Sequence, residues 1–313
     1  MGLFIGAAWY LLTQPIWNAQ EPAAVSADPE KLRKHVEKLS VDFYPRNYRE
    51  HTNLEQTADY IGENFRAAGG RVTDQQFTVG GSAYRNVIGS FGPDGGPRWI
   101  IGAHYDTHED TPGADDNASG VAGLIELARM LGVNEPTFAV DLVAYPLEEP
   151  PFFASEQMGS AHHARSLDLE TKPVRGVIVL EMIGYFQDEA GSQEHPAKLL
   201  SLLYPSTGNF LAVVGRWDQR DFVKEVKTAM TGTTELPIES IAAPTELPGI
   251  DFSDHRNYWP LGIPAVMVTD TAFYRNPHYH RESDTADTLD YERMAQAITA
   301  VYAGLKHLSN SED

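Results

Sequence analysis

The chain of 313 residues contains no cysteine. Disulfide bridges and thiolate metal sites are therefore both excluded, and any metal ion must be bound by imidazole and carboxylate groups. Basic residues are also scarce, because 24 lysines and arginines stand against 44 aspartates and glutamates, a formal net charge of -20. A surface of that sign repels phosphate backbones and anionic lipid headgroups, so we expect no nucleic-acid partner.

Long apolar runs are missing as well. A membrane-spanning helix needs about 20 apolar residues, and the best candidate, Gly2 to Leu12, is shorter and has no basic residue ahead of it. One interpretation is an N-terminal helix that packs on the domain, and the other is a signal or anchor segment with Ala19 to Pro29 as its polar linker. We favour the anchor, because its apolar side chains would otherwise need a large apolar surface to cover them.

The preferred interpretation divides the chain into residues 1–28, a signal or anchor segment with its linker, and residues 29–313, a single domain. It predicts membrane attachment through the N-terminal segment and an extracytoplasmic or membrane-anchored protein. A cytoplasmic location remains the alternative, because a chain without cysteine suits either redox environment. No pattern indicates an oligomeric state.

Helical and strand-like runs alternate along the chain. Helical spacing of apolar residues is found at Lys31 to Leu39, Asn53 to Ala68, Asn117 to Leu131, Arg220 to Met230 and Tyr291 to Leu308. Runs typical of strands lie at Arg71 to Val79, Tyr84 to Phe91, Trp99 to Ala103, Phe138 to Tyr145, Val174 to Met182, Phe210 to Val214 and Ala265 to Val268. This alternation predicts an α/β fold, a three-layer sandwich whose mixed, mostly parallel central sheet is flanked by helices.

Polar clusters follow several of the predicted strands at the points where the strands end. In open α/β sheets, this edge is where ligands bind. His104 and Asp106 come directly after the strand that begins at Trp99. Alternate residues of an extended chain share a face, so Asp106 can accept a hydrogen bond from the imidazole of His104 while the other ring nitrogen binds a metal ion.

Three carboxylate clusters come next along the sequence. Asp116 lies in a loop at the start of a helix, where it either caps the helix or bridges two cations. Glu148 and Glu149 end the following strand, so that one can bind a metal ion while the other takes a proton. Glu181 lies between apolar residues, which is a costly place for an unpaired charge.

The last cluster contains Tyr279 and His280, with Asp284 close behind. Each cluster alone has an ordinary explanation, such as a helix cap or a polar surface loop. Together, histidines and carboxylates at successive strand ends, without any cysteine, indicate a zinc site in which cobalt or manganese could substitute.

The ordered set of motifs resembles the co-catalytic zinc aminopeptidases of the bacterial leucyl aminopeptidase and aminopeptidase Y type, which are related to glutamate carboxypeptidase and glutaminyl cyclase. The resemblance extends from about Asn53 to Leu308 and is carried by residues 104–107, 112–120, 148–149, 181–184, 279–280 and 284–285. It implies the zinc exopeptidase fold and a metallopeptidase that hydrolyses N-terminal residues from peptides.

Carried over position by position, the resemblance implies two zinc ions per chain. The first would be bound by His104, Asp116 and Glu181, and the second by Asp116, Glu149 and His280. Many members of the family have Asp at the position of Glu181, so a single ion is the alternative.

The resemblance also implies the catalytic roles. Glu148 would be the general base and later the acid for a water activated by two metal ions. Asp106 would orient His104, and Tyr279 would help to stabilise the oxyanion. The family often has a cis peptide bond after the bridging aspartate, which here is the bond between Asp116 and Asn117.

Three other functions remain open. A glutaminyl cyclase-like enzyme would use a single zinc ion, and a receptor-like domain would have no activity. A carboxypeptidase would need basic residues, such as Arg275 and Arg281, at the substrate carboxylate. Substrate preference is expected to depend on the long loop from Gln187 to Thr207 and on Phe273, Tyr274 and Tyr258.

Overall fold

The computed structural model describes residues 9–310, so the part of the predicted anchor before Trp9 lies outside the described residues. Within this range, eight strands form one sheet in the order β1-β2-β4-β3-β5-β8-β6-β7. The strands are β1 (Arg71–Val79), β2 (Ser82–Phe91), β3 (Arg98–His104), β4 (Ala139–Tyr145), β5 (Val174–Glu181), β6 (Leu211–Arg216), β7 (Ile238–Ala243) and β8 (Ala265–Thr269).

The sheet is mixed and mostly parallel, as the sequence predicts. Parallel ladders join β4 to β3, β3 to β5, β5 to β8 and β6 to β7. Antiparallel ladders join β1 to β2, β2 to β4 and β6 to β8. The four adjacent parallel strands β4, β3, β5 and β8 therefore bring their carboxyl ends to one edge.

Helices cover the sheet on both faces. Those with described bounds are α1 (Pro29–Glu37), α2 (His51–Ala67), α3 (Gly120–Val133), α4 (Gly159–Arg165), α5 (Arg220–Met230) and α6 (Tyr291–Asn310). One core cluster joins the sheet to buried residues of α1, α2, α3, α5 and α6. The cluster on the other face contains Ala164 of α4 together with Tyr258 and Trp259.

Local signals fix the helix starts. Helix α1 begins after Asp28, whose side chain accepts hydrogen bonds from the backbone N–H groups of Glu30 and Lys31. Helix α3 begins three residues later than predicted, because Asp116 and Asn117 have non-helical backbone angles. The predicted cis peptide bond between these two residues is present.

Two elements were not predicted from the sequence. Helix α4 has only seven residues, too few to establish a period of 3.6. Strand β7 reads IESIAA, in which Glu239 and Ser240 interrupt the apolar pattern. Both elements lie in sequence between runs that the pattern does identify.

Residues 9–27 run along the surface of the domain. Lys227 Nζ donates a hydrogen bond to the carbonyl of Thr13 at 2.7 Å. The backbone N–H of Ala27 donates to Thr299 Oγ1 of α6 at 2.9 Å. Both the end of the apolar N-terminal stretch and the polar linker that follows it are therefore hydrogen-bonded to the domain.

Within residues 9–310, no helix has both the length and the apolar character needed to cross a bilayer.

Candidate metal centre

The predicted ligands meet at the carboxyl edge of the sheet. His104 is the last residue of β3 and Glu181 is the last residue of β5. Glu149 follows β4, Asp116 lies between β3 and α3, and His280 lies in the loop after β8. The parallel arrangement of these strands thus brings together residues that are far apart in sequence.

A first group of candidate ligands surrounds His104. Its Nε2 lies 3.4 Å from Oδ1 of Asp116 and 3.3 Å from Oε2 of Glu181. All three side chains are buried. Ser253, which the sequence reading missed, donates a hydrogen bond from its hydroxyl to Oε2 of Glu181 at 2.6 Å and so fixes this carboxylate.

A second group surrounds His280. Its Nε2 lies 3.2 Å from Oδ2 of Asp116 and 3.4 Å from Oε2 of Glu149. Asp116 therefore presents one carboxylate oxygen to each histidine, which is the geometry required of a bridging carboxylate.

The residues present fit zinc. Nitrogen and oxygen ligands bind zinc at about 2.0–2.1 Å, which puts neighbouring ligand atoms of a tetrahedron about 3.3 Å apart. The distances within both groups are close to this value. Moreover, His104 Nε2 and Glu149 Oε1 are buried without an aligned hydrogen-bond partner among the described residues, and a cation would satisfy both.

Proton affinities at the site reflect the crowding of opposite charges. Burial opposes the charged form of His280, but the carboxylates of Asp116 and Glu149 raise its pKa to about 10. Burial likewise opposes the charge on His104, whose pKa is nevertheless raised well above its usual value by Glu181 and its other acidic neighbours. The metal-free cluster thus holds protons that a bound cation would displace.

Glu148 lies beside the two groups without belonging to either. Burial raises its pKa well above the usual value, and although His104 opposes this, the charges of Glu181 and Glu149 raise the pKa further. A buried carboxyl with a high proton affinity next to a candidate metal site is suited to general base and acid chemistry.

Asp106 connects these parts. Its Oδ1 accepts a hydrogen bond from the backbone N–H of Glu148 at 3.1 Å, and its Oδ2 accepts one from that of Glu149 at 3.2 Å. His104 Nδ1 lies 3.1 Å from the backbone carbonyl of Asp106 and 3.5 Å from its carboxylate. Asp106 therefore orients His104 mainly through its backbone, while its carboxylate holds the chain at Glu148 and Glu149.

A further layer holds the loop of Asp116. The carboxylate of Asp284 accepts hydrogen bonds from the backbone N–H groups of Asp115 and Asp116 at 2.9 and 3.1 Å. Asn117 Oδ1 accepts a hydrogen bond from the N–H of Gly120, the first residue of α3. Arg46 is fully buried and donates to the carbonyl of Gly113 and to three other carbonyl groups, among them that of Tyr105.

Tyr279 packs on the ring of His280, with centroids 3.7 Å apart and planes 19° apart. Burial raises the pKa of Tyr279, and the nearby carboxylates raise it further, with the largest electrostatic effect from Asp116. Its hydroxyl group is therefore protonated at neutral pH and available as a hydrogen-bond donor.

A cavity lies beside Glu181 and Tyr279, with about 840 Å³ of empty space including its open mouth. Its walls are mainly apolar and include Phe210, Val214, Ile241, Ile250, Met267 and Phe273. Residues 193–196 of the predicted long loop also line it, as does Tyr274.

The expected role of Tyr258 in substrate preference is not borne out. Its ring is fully buried on the face of the sheet that carries α4. Its hydroxyl group lies 2.6 Å from that of Tyr145 and 2.8 Å from Nδ1 of His163. The apolar run around Tyr258 therefore belongs to the core and not to the cavity.

His108 is a second residue at the site that the sequence reading missed. Its Nδ1 lies 3.5 Å from Oε2 of Glu149, which places His108 beside the ligand group of Glu149 and His280. The signal for it was weak, because it lies just past the stretch from His104 to Thr107 that carried the resemblance.

Residues 86–304 match the sequence pattern of peptidase family M28. The uncharacterized protein YfbL of Escherichia coli K12 is 49% identical over 296 residues, which cover 92% of this chain and 91% of YfbL. Leucine aminopeptidase 1 of Fusarium vanettenii is 24% identical over 300 residues, which cover 88% of this chain and 69% of that protein.

Solved structures of two kinds share the fold. The LapA aminopeptidase of Legionella pneumophila superimposes with a TM-score of 0.71 at 22% identity, covering 91% of this chain and 73% of LapA. A glutaminyl cyclase of Bacteroides thetaiotaomicron superimposes with a TM-score of 0.63 at 20% identity, covering 95% of this chain and 100% of the cyclase.

Proposed function

The chain belongs to peptidase family M28, and on this premise we propose that it is a zinc aminopeptidase that uses two metal ions to remove N-terminal residues from peptides. The observation that carries the proposal is Asp116, whose two oxygens face His104 and His280 at 3.4 and 3.2 Å. A carboxylate shared between two groups of ligands is a residue that would help to hold a pair of metal ions.

The chain supplies a residue for each step of peptide hydrolysis. Two zinc ions, when bound, supply the Lewis acidity that lowers the pKa of water and polarises the scissile carbonyl. Glu148 belongs to neither ligand group, so its carboxylate is free to take the proton of the attacking water and return it to the leaving amine. The protonated hydroxyl of Tyr279 is available to stabilise the oxyanion.

An aminopeptidase is favoured over a carboxypeptidase by the environment of Arg275. This side chain is buried, donates hydrogen bonds to Gln193 and to the carbonyl of Tyr185, and packs on the ring of Phe210. Its Nη2 has no aligned hydrogen-bond partner among the described residues, but Arg275 does not line the cavity beside the ligand groups, so it is not placed to bind a substrate carboxylate there.

The apolar cavity supports a preference for large apolar N-terminal side chains. Its walls offer Phe210, Ile250 and Met267 beside the first ligand group. Burying an apolar side chain there would contribute about 1.5–3 kcal/mol, whereas a charged side chain would lose its hydration. A panel of aminoacyl anilides should therefore give the highest kcat/KM for leucyl, methionyl and phenylalanyl substrates.

The decisive experiment is a hydrolysis assay with leucyl anilide on the purified protein, the chelator-treated protein and the variant Glu148→Gln. We expect hydrolysis that chelator abolishes and zinc restores. Glu148→Gln should bind as much zinc as the wild type but lose nearly all turnover. Glu156→Gln, at an exposed position, is the matched control and should hydrolyse normally.

The outcomes separate the candidate functions. Most of the wild-type activity in Glu148→Gln would refute the role of Glu148. Glutaminyl cyclase is the second candidate because of its shared fold, and it would release ammonia from a glutaminyl peptide without cleaving leucyl anilide. The presence of two ligand groups argues against it, because a single-zinc enzyme needs only one.

A further inference from the structure

The His280 imidazole lies between two other rings. On one face it stacks with His108, with centroids 3.8 Å apart and planes only 2° apart. It stacks with Tyr279 as well, with centroids 3.7 Å apart. Two rings at these distances cannot share one face of an imidazole, so His108 and Tyr279 enclose His280 from opposite sides.

This enclosure matters because of how the two candidate metal-binding histidines are held. The ring of His104 is fully buried, and its Nδ1 is fixed by the backbone carbonyl of Asp106. His280 lies in a loop, is 24% exposed and has a positive φ of 56°. Among the described residues, its recorded contacts are the two carboxylates at Nε2 and the two stacked rings.

A histidine ligand usually has its second nitrogen fixed by a hydrogen bond, which sets the rotation of the ring. For His280, packing takes the place of that hydrogen bond. Rotation of the ring about its bond to the chain would drive it into His108 or Tyr279, because both are already at stacking distance.

His108 is also close enough to Glu149 to be considered as a ligand itself. A metal ion binds in the plane of an imidazole, along the lone pair of the nitrogen. Because the planes of His108 and His280 are parallel and separated by a stacking distance, an ion held by His280 would lie away from the lone pairs of His108. The two rings therefore cannot bind the same ion in this arrangement.

We propose that His108 is a positioning residue of the second metal site: its ring holds the His280 imidazole in the ligating orientation, and it does not itself bind the ion. The inference rests on the two-metal site of the proposed function. It predicts that a flat ring at position 108, and not its nitrogen atoms, is what the second site requires.

The test uses the variants His108→Ala, which removes the ring, and His108→Phe, which keeps a flat ring without nitrogen. His162→Ala is the matched control, because His162 stacks on Phe77 with centroids 4.1 Å apart, outside both ligand groups. Zinc affinities of both sites would be measured on the full-length protein by competition with a chromophoric chelator. The absorption spectrum of the cobalt-substituted protein would report the geometry of each site.

In His108→Ala we expect the affinity for one of the two ions to fall at least tenfold, as is usual on removing the support of a ligand, while the other affinity stays unchanged. His108→Phe should recover most of the loss, and His162→Ala should match the wild type. The melting temperature of each metal-free variant identifies any general destabilisation.

Two results would overturn the proposal. Unchanged affinities in His108→Ala would show that the ring is not needed, and equal weakening in His108→Ala and His108→Phe would show that a nitrogen atom is the required group. If the wild type bound fewer than two zinc ions, the two-metal function itself would fail, and this outcome is distinct from the other two.

Discussion

Glu181 stands at the position where the resemblance to zinc aminopeptidases implies an aspartate in many members. Its longer side chain reaches Oε2 to 3.3 Å from Nε2 of His104, and Ser253 holds that same oxygen by a hydrogen bond. Both contacts depend on the extra methylene group of glutamate, because His104 and Ser253 lie at the position that Oε2 of the longer side chain reaches.

We predict that Glu181→Asp weakens the first metal site and spares the second. The shortened side chain would withdraw the carboxylate by about one carbon–carbon bond, leaving Ser253 and His104 without their partner. Zinc titration should show at least a tenfold loss of affinity at one site, comparable to the loss of a supporting contact. Glu156→Asp, at an exposed position, serves as the control, and unchanged affinity in Glu181→Asp would contradict the prediction.

The predicted ligands could be read from the sequence because each is a chemically distinctive residue at the end of an apolar strand. His108, Ser253 and Arg46 could not be read in this way. His108 contributes by stacking on a parallel ring, Ser253 by a hydrogen bond from its hydroxyl group, and Arg46 by hydrogen bonds to four backbone carbonyls. These contacts form only when the chain folds. Arg46 also lies before the region in which any motif was recognised.

At the scale of elements, α4 carries a buried histidine that links it to the core. His163 is buried, and its Nδ1 is hydrogen-bonded to the hydroxyl of Tyr258 at 2.8 Å. Burial lowers the pKa of His163 to about 4, below the value of about 6.5 in an unfolded chain. His163 is therefore neutral in the folded protein at pH values at which the unfolded chain is already protonated.

This difference predicts a loss of stability in acid. The contribution of His163 is fully present above about pH 6.5 and is lost as the pH falls toward about 4, because only the unfolded chain binds the proton in that window. The loss approaches about 3 kcal/mol for a shift of this size. His163→Gln keeps an acceptor without titrating, so its stability relative to wild type should improve by about that amount between pH 7 and pH 4.

Urea unfolding of the metal-free proteins at pH 7, 5.5 and 4 measures the difference. The free energies of unfolding of the wild type and His163→Gln should converge or cross as the pH falls. His51→Gln, at an exposed position, should follow the wild type throughout. Parallel curves for wild type and His163→Gln would mean that His163 titrates alike in both states.

The fold could be predicted to the extent that its elements are long and regularly patterned. Helix α2 matches the predicted helical run from Asn53 to Ala68, and its apolar residues Leu54, Ala58, Ile61 and Phe65 are all buried. Strand β7 and α4 were missed because their sequences are short and partly polar. The antiparallel pairing of β6 with β8 was likewise invisible, since strand order depends on contacts between distant parts of the chain.

At the scale of the whole molecule, the site concentrates charge at one edge of the sheet. Asp116, Glu148, Glu149 and Glu181 are all buried there, and several other acidic groups lie behind them. Like charges held close together in a poorly solvated place destabilise the folded state unless cations or protons neutralise them.

We therefore expect chelation to lower the melting temperature and zinc to restore it. A ligand present at 100 times its Kd stabilises the folded state by about 2.7 kcal/mol per site. For a chain of this size, that is a shift of about 4 °C for each site. Differential scanning calorimetry would be carried out with chelator, with excess zinc and with excess magnesium. Equal melting temperatures in all three conditions would contradict the expected stabilisation by zinc.

The strip of residues 9–27 has a consequence for the order of events during synthesis. Thr13 is hydrogen-bonded to Lys227, and Ala27 is hydrogen-bonded to Thr299, near the other end of the sequence. The partners of this early segment leave the ribosome after most of the sheet has been translated. The segment therefore cannot form these two hydrogen bonds until Lys227 and Thr299 have themselves been made.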